Sequence, residues 1–177
     1  GDSKQAALTV QAIAQLNPTA DTYVRGGTTE NTNYGGVNEL HVKQDSSPSY
    51  TRESYLKFNV SSISGSIVSA KLFVHGSVTD ATSATLGVYP VTSDWTEGTV
   101  TWATKPTVDT TLINSKGLTN TDQWHEIDIT AYVQEQYAGL GIINLAFLQN
   151  LDSGSHAIRF YSREHSSLKP YLQIVHE

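Results

Sequence analysis

Apolar residues recur at every second position through much of this chain. Leu56, Phe58 and Val60 alternate with Tyr55, Lys57 and Asn59, and Leu40 and Val42 alternate with His41 and Lys43. Ala70, Leu72 and Val74 alternate with Lys71, Phe73 and His75. Near the C-terminus, Ile158, Phe160 and Ser162 alternate with Arg159, Tyr161 and Arg163, and Leu172 and Ile174 share one parity of the run 171–175. A period of two sends successive side chains to opposite faces of a strand, so each run predicts a strand with one buried and one solvated face. Weaker runs predict strands over 22–25, 86–91, 124–129 and 142–148. The stretch 8–16 has apolar even positions, Leu8, Val10, Ala12, Ala14 and Leu16. It reads as a leading strand or linker, although its Ala and Gln content also suits a helix. One short helix is expected over 129–137, with Thr130 as its cap.

Turn residues punctuate these runs at Gly26-Gly27, Gly35-Gly36, Ser46-Ser47-Pro48, Ser64-Gly65, Asp152-Ser153-Gly154 and Lys169-Pro170. About ten or eleven short strands separated in this way predict an all-β fold, an antiparallel β-sandwich of jelly-roll-like type. A length of 177 residues suits one hydrophobic core. We read residues 1–16 as a linker or leading strand and 17–177 as one sandwich domain, with no internal repeat.

Composition narrows the functional classes. The net charge of −6 argues against nucleic acid as a partner. No apolar run approaches the roughly 20 residues of a membrane-spanning helix, so no membrane association is expected. The absence of Cys removes disulfides, thiol catalysis and Cys-based zinc sites together. No His pair has ligand spacing, and no cofactor is expected. A structural calcium ion held by Asp152-Ser153-Gly154 with Asp21 or Asp128 stays open. A chain without Met that begins Gly-Asp-Ser-Lys reads as a piece of something longer.

The solvent parity of the strands carries the candidate chemistry. Arg25, His41, Lys43, Tyr55, Lys57, Lys71, Phe73, His75, Arg159, Tyr161 and Arg163 are all assigned to it. Cations repeated along a sheet face match a polymer with one carboxylate per sugar. Arg pairs with a carboxylate bidentately, and Tyr offers a flat body to the C–H face of a sugar. The plainer alternative is a face dressed for solubility, with Glu39, Glu53 and Glu164 neutralising several cations. The segment from Asp94 to Trp102 is either a paired-Trp sugar platform or a plug whose indoles are buried; we take the plug. No carboxylate pair stands out for glycoside hydrolysis. Arg with His or Tyr is the set a polysaccharide lyase uses, which makes a lyase the enzymatic alternative.

Several segments, in order, carry a resemblance. They are Ala20-Asp21-Thr22-Tyr23-Val24-Arg25, Asn33-Tyr34-Gly35, Leu40-His41-Val42-Lys43 and Arg52-Glu53-Ser54-Tyr55-Leu56-Lys57-Phe58. Ser69-Ala70-Lys71-Leu72, Trp95-Thr96-Glu97 with Thr101-Trp102, and Asp128-Ile129-Thr130 follow, then Phe160-Tyr161-Ser162-Arg163-Glu164 and Pro170-Tyr171-Leu172. From about Asn17 to the C-terminus the chain resembles the DNRLRE domain family, which overlaps carbohydrate-binding module family 96. The namesake motif is degenerate here, with Ser162-Arg163-Glu164 its nearest match. The resemblance implies a secreted bacterial β-sandwich, often appended to polysaccharide lyases, and family 96 members bind alginate. Jelly-roll lyases carry an Arg-Thr-Glu-Leu-Arg strand and a Gln-Ile-His strand, and neither occurs in this sequence.

Carried onto this chain, Lys43, Arg52, Lys57 and Arg163 fall within the recognised motifs. Arg52 shares the parity of Leu56 and Phe58, which suits the start of a strand or a structural ion pair. Tyr55, Arg159 and Tyr161 come from alternation alone. The expectation is a secreted, non-catalytic module that binds alginate or a related acidic polysaccharide through these seven residues. It would tether a covalently linked catalytic domain to that polymer. A small lyase and a structural or adhesive surface domain without a glycan ligand are the alternatives.

Overall fold

A computed structural model describes residues 7–150 and 154–177. The strands are β1 (Ala12–Leu16), β2 (Ala20–Arg25), β3 (Glu39–Val42), β4 (Arg52–Asn59), β5 (Ile67–Val78), β6 (Ser83–Pro90), β7 (Asn114–Thr119), β8 (Gln123–Asp128), β9 (Ile142–Leu148), β10 (Ile158–Tyr161) and β11 (Tyr171–His176), with one helix, α1 (Thr130–Tyr137), between β8 and β9. They form two antiparallel sheets, as the alternation predicts. The first runs β1-β11-β5-β10-β3, with β8 on the opposite edge of β5, and the second runs β2-β4-β9-β6-β7. The long β5 makes this possible. One of its edges receives β11 along residues 67–73 and β10 along 76–78, while the other receives β8 along 71–76.

The inward parity of both sheets meets in one core, in which Leu40, Leu56, Phe58, Leu72, Leu86, Ile143, Phe147, Phe160 and Leu172 are all buried. Phe147 and Phe160 face each other across it, with ring centroids 5.6 Å apart. The strand β7 is absent from the sequence reading because, of its six residues, only Leu118 is buried and no alternation marks it. Along 8–16 only the second half forms a strand. There Ala14 and Leu16 pack on the core while Ile13 points to solvent.

Two expectations need correction. The helix lies where predicted, but Thr130 is not its cap. Asp128 Oδ1 accepts from the Thr130 backbone N–H at 2.9 Å and from its hydroxyl at 2.7 Å, while that hydroxyl also accepts from Ala70 N at 3.0 Å. The second correction matters more for function. Part of the outer face of the second sheet is not solvated, although Ile142 and the outward Ser115, Gly117 and Thr119 of β7 stay exposed. Segment 91–113 folds over that part and seals a second buried cluster of Val24, Tyr55, Tyr89, Val91, Trp95, Val100 and Ala146. The Trp95 segment is therefore a plug, seated on a sheet face rather than at the end of the sandwich, with Trp95 buried and Trp102 only partly so.

Candidate functional site

The two sheets divide the residues that alternation had placed on one surface. Tyr55 and Lys57 stand on the covered face of the second sheet. Tyr55 is completely buried, and its hydroxyl donates to Glu53. Lys57 Nζ donates to Asp94 Oδ1 at 2.8 Å and to the Trp95 carbonyl at 2.7 Å, and lies 4.6 Å from the Trp95 ring centroid. Both were expected to face solvent; instead they hold the covering segment down. Arg163 lies beyond the end of β10. Its Nη1 donates to both oxygens of Glu97, at 3.2 and 3.0 Å, so a loop carboxylate already occupies its guanidinium.

The remaining candidates, Lys43, Arg52, Arg159 and Tyr161, fall along one edge of the sandwich and the outer face of the first sheet. The edge forms because β3 and β4, from different sheets, touch there. Lys43 and Arg52 exchange backbone hydrogen bonds of 2.9 and 2.8 Å, closing the sandwich at this corner. Since β3 is the last strand of its sheet, the inward parity of β2 runs past its cover. Tyr23 and Arg25 are consequently half-buried rather than enclosed. Tyr23 stacks on Tyr34 with centroids 4.3 Å apart and meets the His41 ring edge-on at 4.9 Å.

Arg25 and Arg52 are register partners on β2 and β4. Among the described residues neither forms an ion pair, and Arg25 Nε is buried without a hydrogen-bond acceptor. Burial, followed by the neighbouring Arg25 charge, lowers the Arg52 pKa. Two like charges side by side in a partly desolvated corner destabilise the free protein, and an incoming anion relieves them. Lys43 is held only loosely, 3.9 Å from Asp80 and 4.0 Å from Asp45. His41 Nε2 lies 3.1 Å from Glu39 Oε2. Burial lowers the His41 pKa most, Arg52 and Arg159 lower it further, and Glu39 opposes them.

From this corner a line of rings continues across the first sheet. Arg159 is the register neighbour of His41 and lies 4.4 Å from the Tyr161 ring centroid, with Asp122 at 3.0 Å. Tyr161 adjoins His75 at 5.7 Å, His75 adjoins Trp124 at 5.2 Å, Trp124 adjoins Tyr171 at 5.4 Å, and Tyr171 stacks on Phe73 at 4.7 Å. Trp124 is 40% exposed. Sequence reading had not singled out Tyr23, Tyr34, Trp124 or Tyr171, and it had placed Arg25 on the wrong face. The usable signal was Arg52, a cation on the parity of core residues at a strand end. Such a residue belongs at a corner where one sheet outruns the other.

Chemically, the corner offers bidentate donors to carboxylates and the sheet face offers flat apolar surfaces to sugar rings. A separate concavity between α1 and the β6–β7 side is lined by Leu112, Asn114, Asp128, Tyr132 and Glu135. It carries two acids and no cation, which does not suit a polyanion. The profile of carbohydrate-binding module family 96 matches residues 12–176, almost the whole chain. No curated protein matches the sequence.

Proposed function

The chain belongs to carbohydrate-binding module family 96, and on that premise we propose that it binds alginate or a related polyuronate without transforming it. The observation that carries the acidic part of this reading is the Arg25–Arg52 pair, two guanidiniums adjacent in register with no carboxylate paired to either. One uronate carboxylate would bridge the pair, the next would reach Lys43 or Arg159, and the sugar rings would lie against Tyr34, Tyr161 and Trp124. In this reading the module is secreted and covalently linked to a polysaccharide-degrading enzyme. It keeps that enzyme near its substrate by raising the effective concentration.

The lyase reading has one observation in its favour, the grouping of Tyr23, His41 and two arginines. Yet His41 Nε2 is engaged by Glu39, and burial raises the Tyr23 pKa, which favours its protonated form; both weigh against these two side chains as the base. Affinity electrophoresis of the purified protein tests the proposal. Alginate in the gel is expected to retard it and a neutral glucan is not, with retardation weakening as salt rises. Equal migration in both gels would refute the acidic-ligand reading. Growth of the ultraviolet absorbance of unsaturated uronates would refute the non-catalytic one.

The corner also predicts a pH dependence. With its pKa held below the usual 6.5, His41 is neutral at pH 7 in the free protein. A polyanion beside it favours the imidazolium, so affinity is expected to rise as pH falls from 7 towards 5. Stability moves the other way. A histidine with a depressed folded pKa contributes stability that is complete above about pH 6.5 and is lost as pH falls through the folded value. Glu39, Arg52, Arg159 and Tyr23 face the ring. His41→Gln should flatten the affinity profile over this range in the same gel assay. An unchanged slope in the variant would assign the dependence to other groups.

A further inference from the structure

Three carboxylates converge on the side of the molecule where β2 begins. Asp21 comes from β2, Glu97 from the covering segment and Glu164 from the turn after β10, and one oxygen of each lies within 4.8 Å of the others. The fold draws them together closely. Asp21 N donates to Glu97 Oε1 at 2.8 Å, Arg163 N donates to Asp21 Oδ2 at 2.8 Å, and the Ser162 hydroxyl donates to Glu164 Oε2 at 2.8 Å. Asn33 fixes the loop by donating to the Glu97 and Val100 carbonyls at 2.7 and 2.8 Å. Gly35 sits so close that a Cβ there would lie 2.2 Å from the Glu97 carbonyl oxygen.

One atom in this arrangement is unexplained. Asp21 has no exposed surface, and its Oδ1 has no hydrogen-bond partner. A buried carboxylate oxygen without a donor costs free energy unless a proton or a cation meets it. The charge balance points the same way. Three carboxylates face one guanidinium, Arg163, which leaves two negative charges.

We infer that Asp21, Glu97 and Glu164 bind a divalent cation, with calcium the ion that this donor set fits. The donors are hard oxygens with no His or Cys among them, which suits calcium or magnesium rather than zinc. They come from three separate segments in an irregular arrangement, which calcium tolerates and magnesium does not. Of the acids that sequence reading offered for calcium, Asp21 is in this site, Asp128 is occupied with the start of α1, and Asp152 and Ser153 lie outside the described residues. The ion would fasten the covering segment and the β10 turn to β2, the strand that ends at Tyr23 and Arg25. This inference stands whatever glycan the module binds.

Calcium chloride titrated into EDTA-stripped protein is the test. Saturable one-site binding is expected by calorimetry. The melting temperature should rise by roughly 5–10 °C at calcium about 100 times its dissociation constant. Magnesium should give a smaller rise. Glu164→Gln, on the exposed turn, should abolish most of the calcium-dependent shift. Absence of both binding heat and melting shift in the native protein up to ~10 mM calcium, beyond the range of weak extracellular sites, would overturn the assignment and leave a proton as the neutralising partner. If the variant fails to fold, the calorimetric titration of the native protein still decides.

Discussion

Arg52→Ala is expected to weaken alginate binding roughly ten- to a hundredfold while leaving the melting temperature unchanged or slightly raised. The binding loss corresponds to removing one charge-assisted, potentially bidentate contact worth about 1.5–3 kcal/mol. The stability result carries the sharper information. A cation in a structural ion pair destabilises a protein when removed, because its partner is left alone. Arg52 has no such partner among the described residues and stands next to the like charge of Arg25, so truncation relieves repulsion. Lys57→Ala provides the contrast. It removes the two hydrogen bonds that hold Asp94 and Trp95, so it should lower stability and leave affinity unchanged. Affinity electrophoresis and thermal melts of both variants read this out together. An Arg52→Ala protein that melts lower and still binds would place Arg52 in the scaffold.

Trp95→Ala is expected to cost about 3–5 kcal/mol, a fall of roughly 6–20 °C in melting temperature for a chain of this size. Trp95 is only 6% exposed. Its Nε1 donates to Asn144 Oδ1 at 2.8 Å, its ring lies 5.9 Å from Tyr55, and Lys57 rests on it. Removing the indole opens the seal over a second core and leaves the Asn144 side chain short of a donor. Trp124→Ala is the matched control. With 40% of its surface exposed, Trp124 should cost little in stability. The two substitutions should exchange rank for binding, since Trp124 belongs to the exposed line of rings and Trp95 does not. Denaturant midpoints and gel retardation of the two proteins test this. A Trp95→Ala midpoint no lower than that of Trp124→Ala would mean that segment 91–113 is no part of the folding core.

Much of the architecture was legible because alternation is a local property. Leu40, Leu56, Phe58, Leu72, Phe160 and Leu172 each sit in a run of period two, and each is buried as that period requires. The family resemblance was likewise readable, since the order of short motifs from Ala20 to Leu172 survives without any knowledge of contacts. Alternation failed where its premise failed. It assumes that a strand has one wet face, and around Tyr55 and Lys57 the second sheet has none because a segment some forty residues further on covers it. Nothing near Tyr55 and Lys57 announces that cover.

The candidate site divides along the same line. Sequence alone nominated residue types for the proposed chemistry, with Lys43, Arg52, Arg159 and Tyr161 named from parity and motif. It also determined the strands that present them. Only the tertiary structure decided which of these side chains share a surface, because that depends on which strand ends its sheet. β3 is the last strand of its sheet, so Arg25 meets Arg52 in a half-open corner beside Tyr23, Tyr34 and His41. The same packing brought Glu97 to Arg163 across sixty-six residues and paired that partly exposed arginine with a carboxylate of the protein itself. Strand periodicity is written in neighbouring residues, whereas the neutralisation or exposure of a charge is settled by partners that only the closed fold brings within reach.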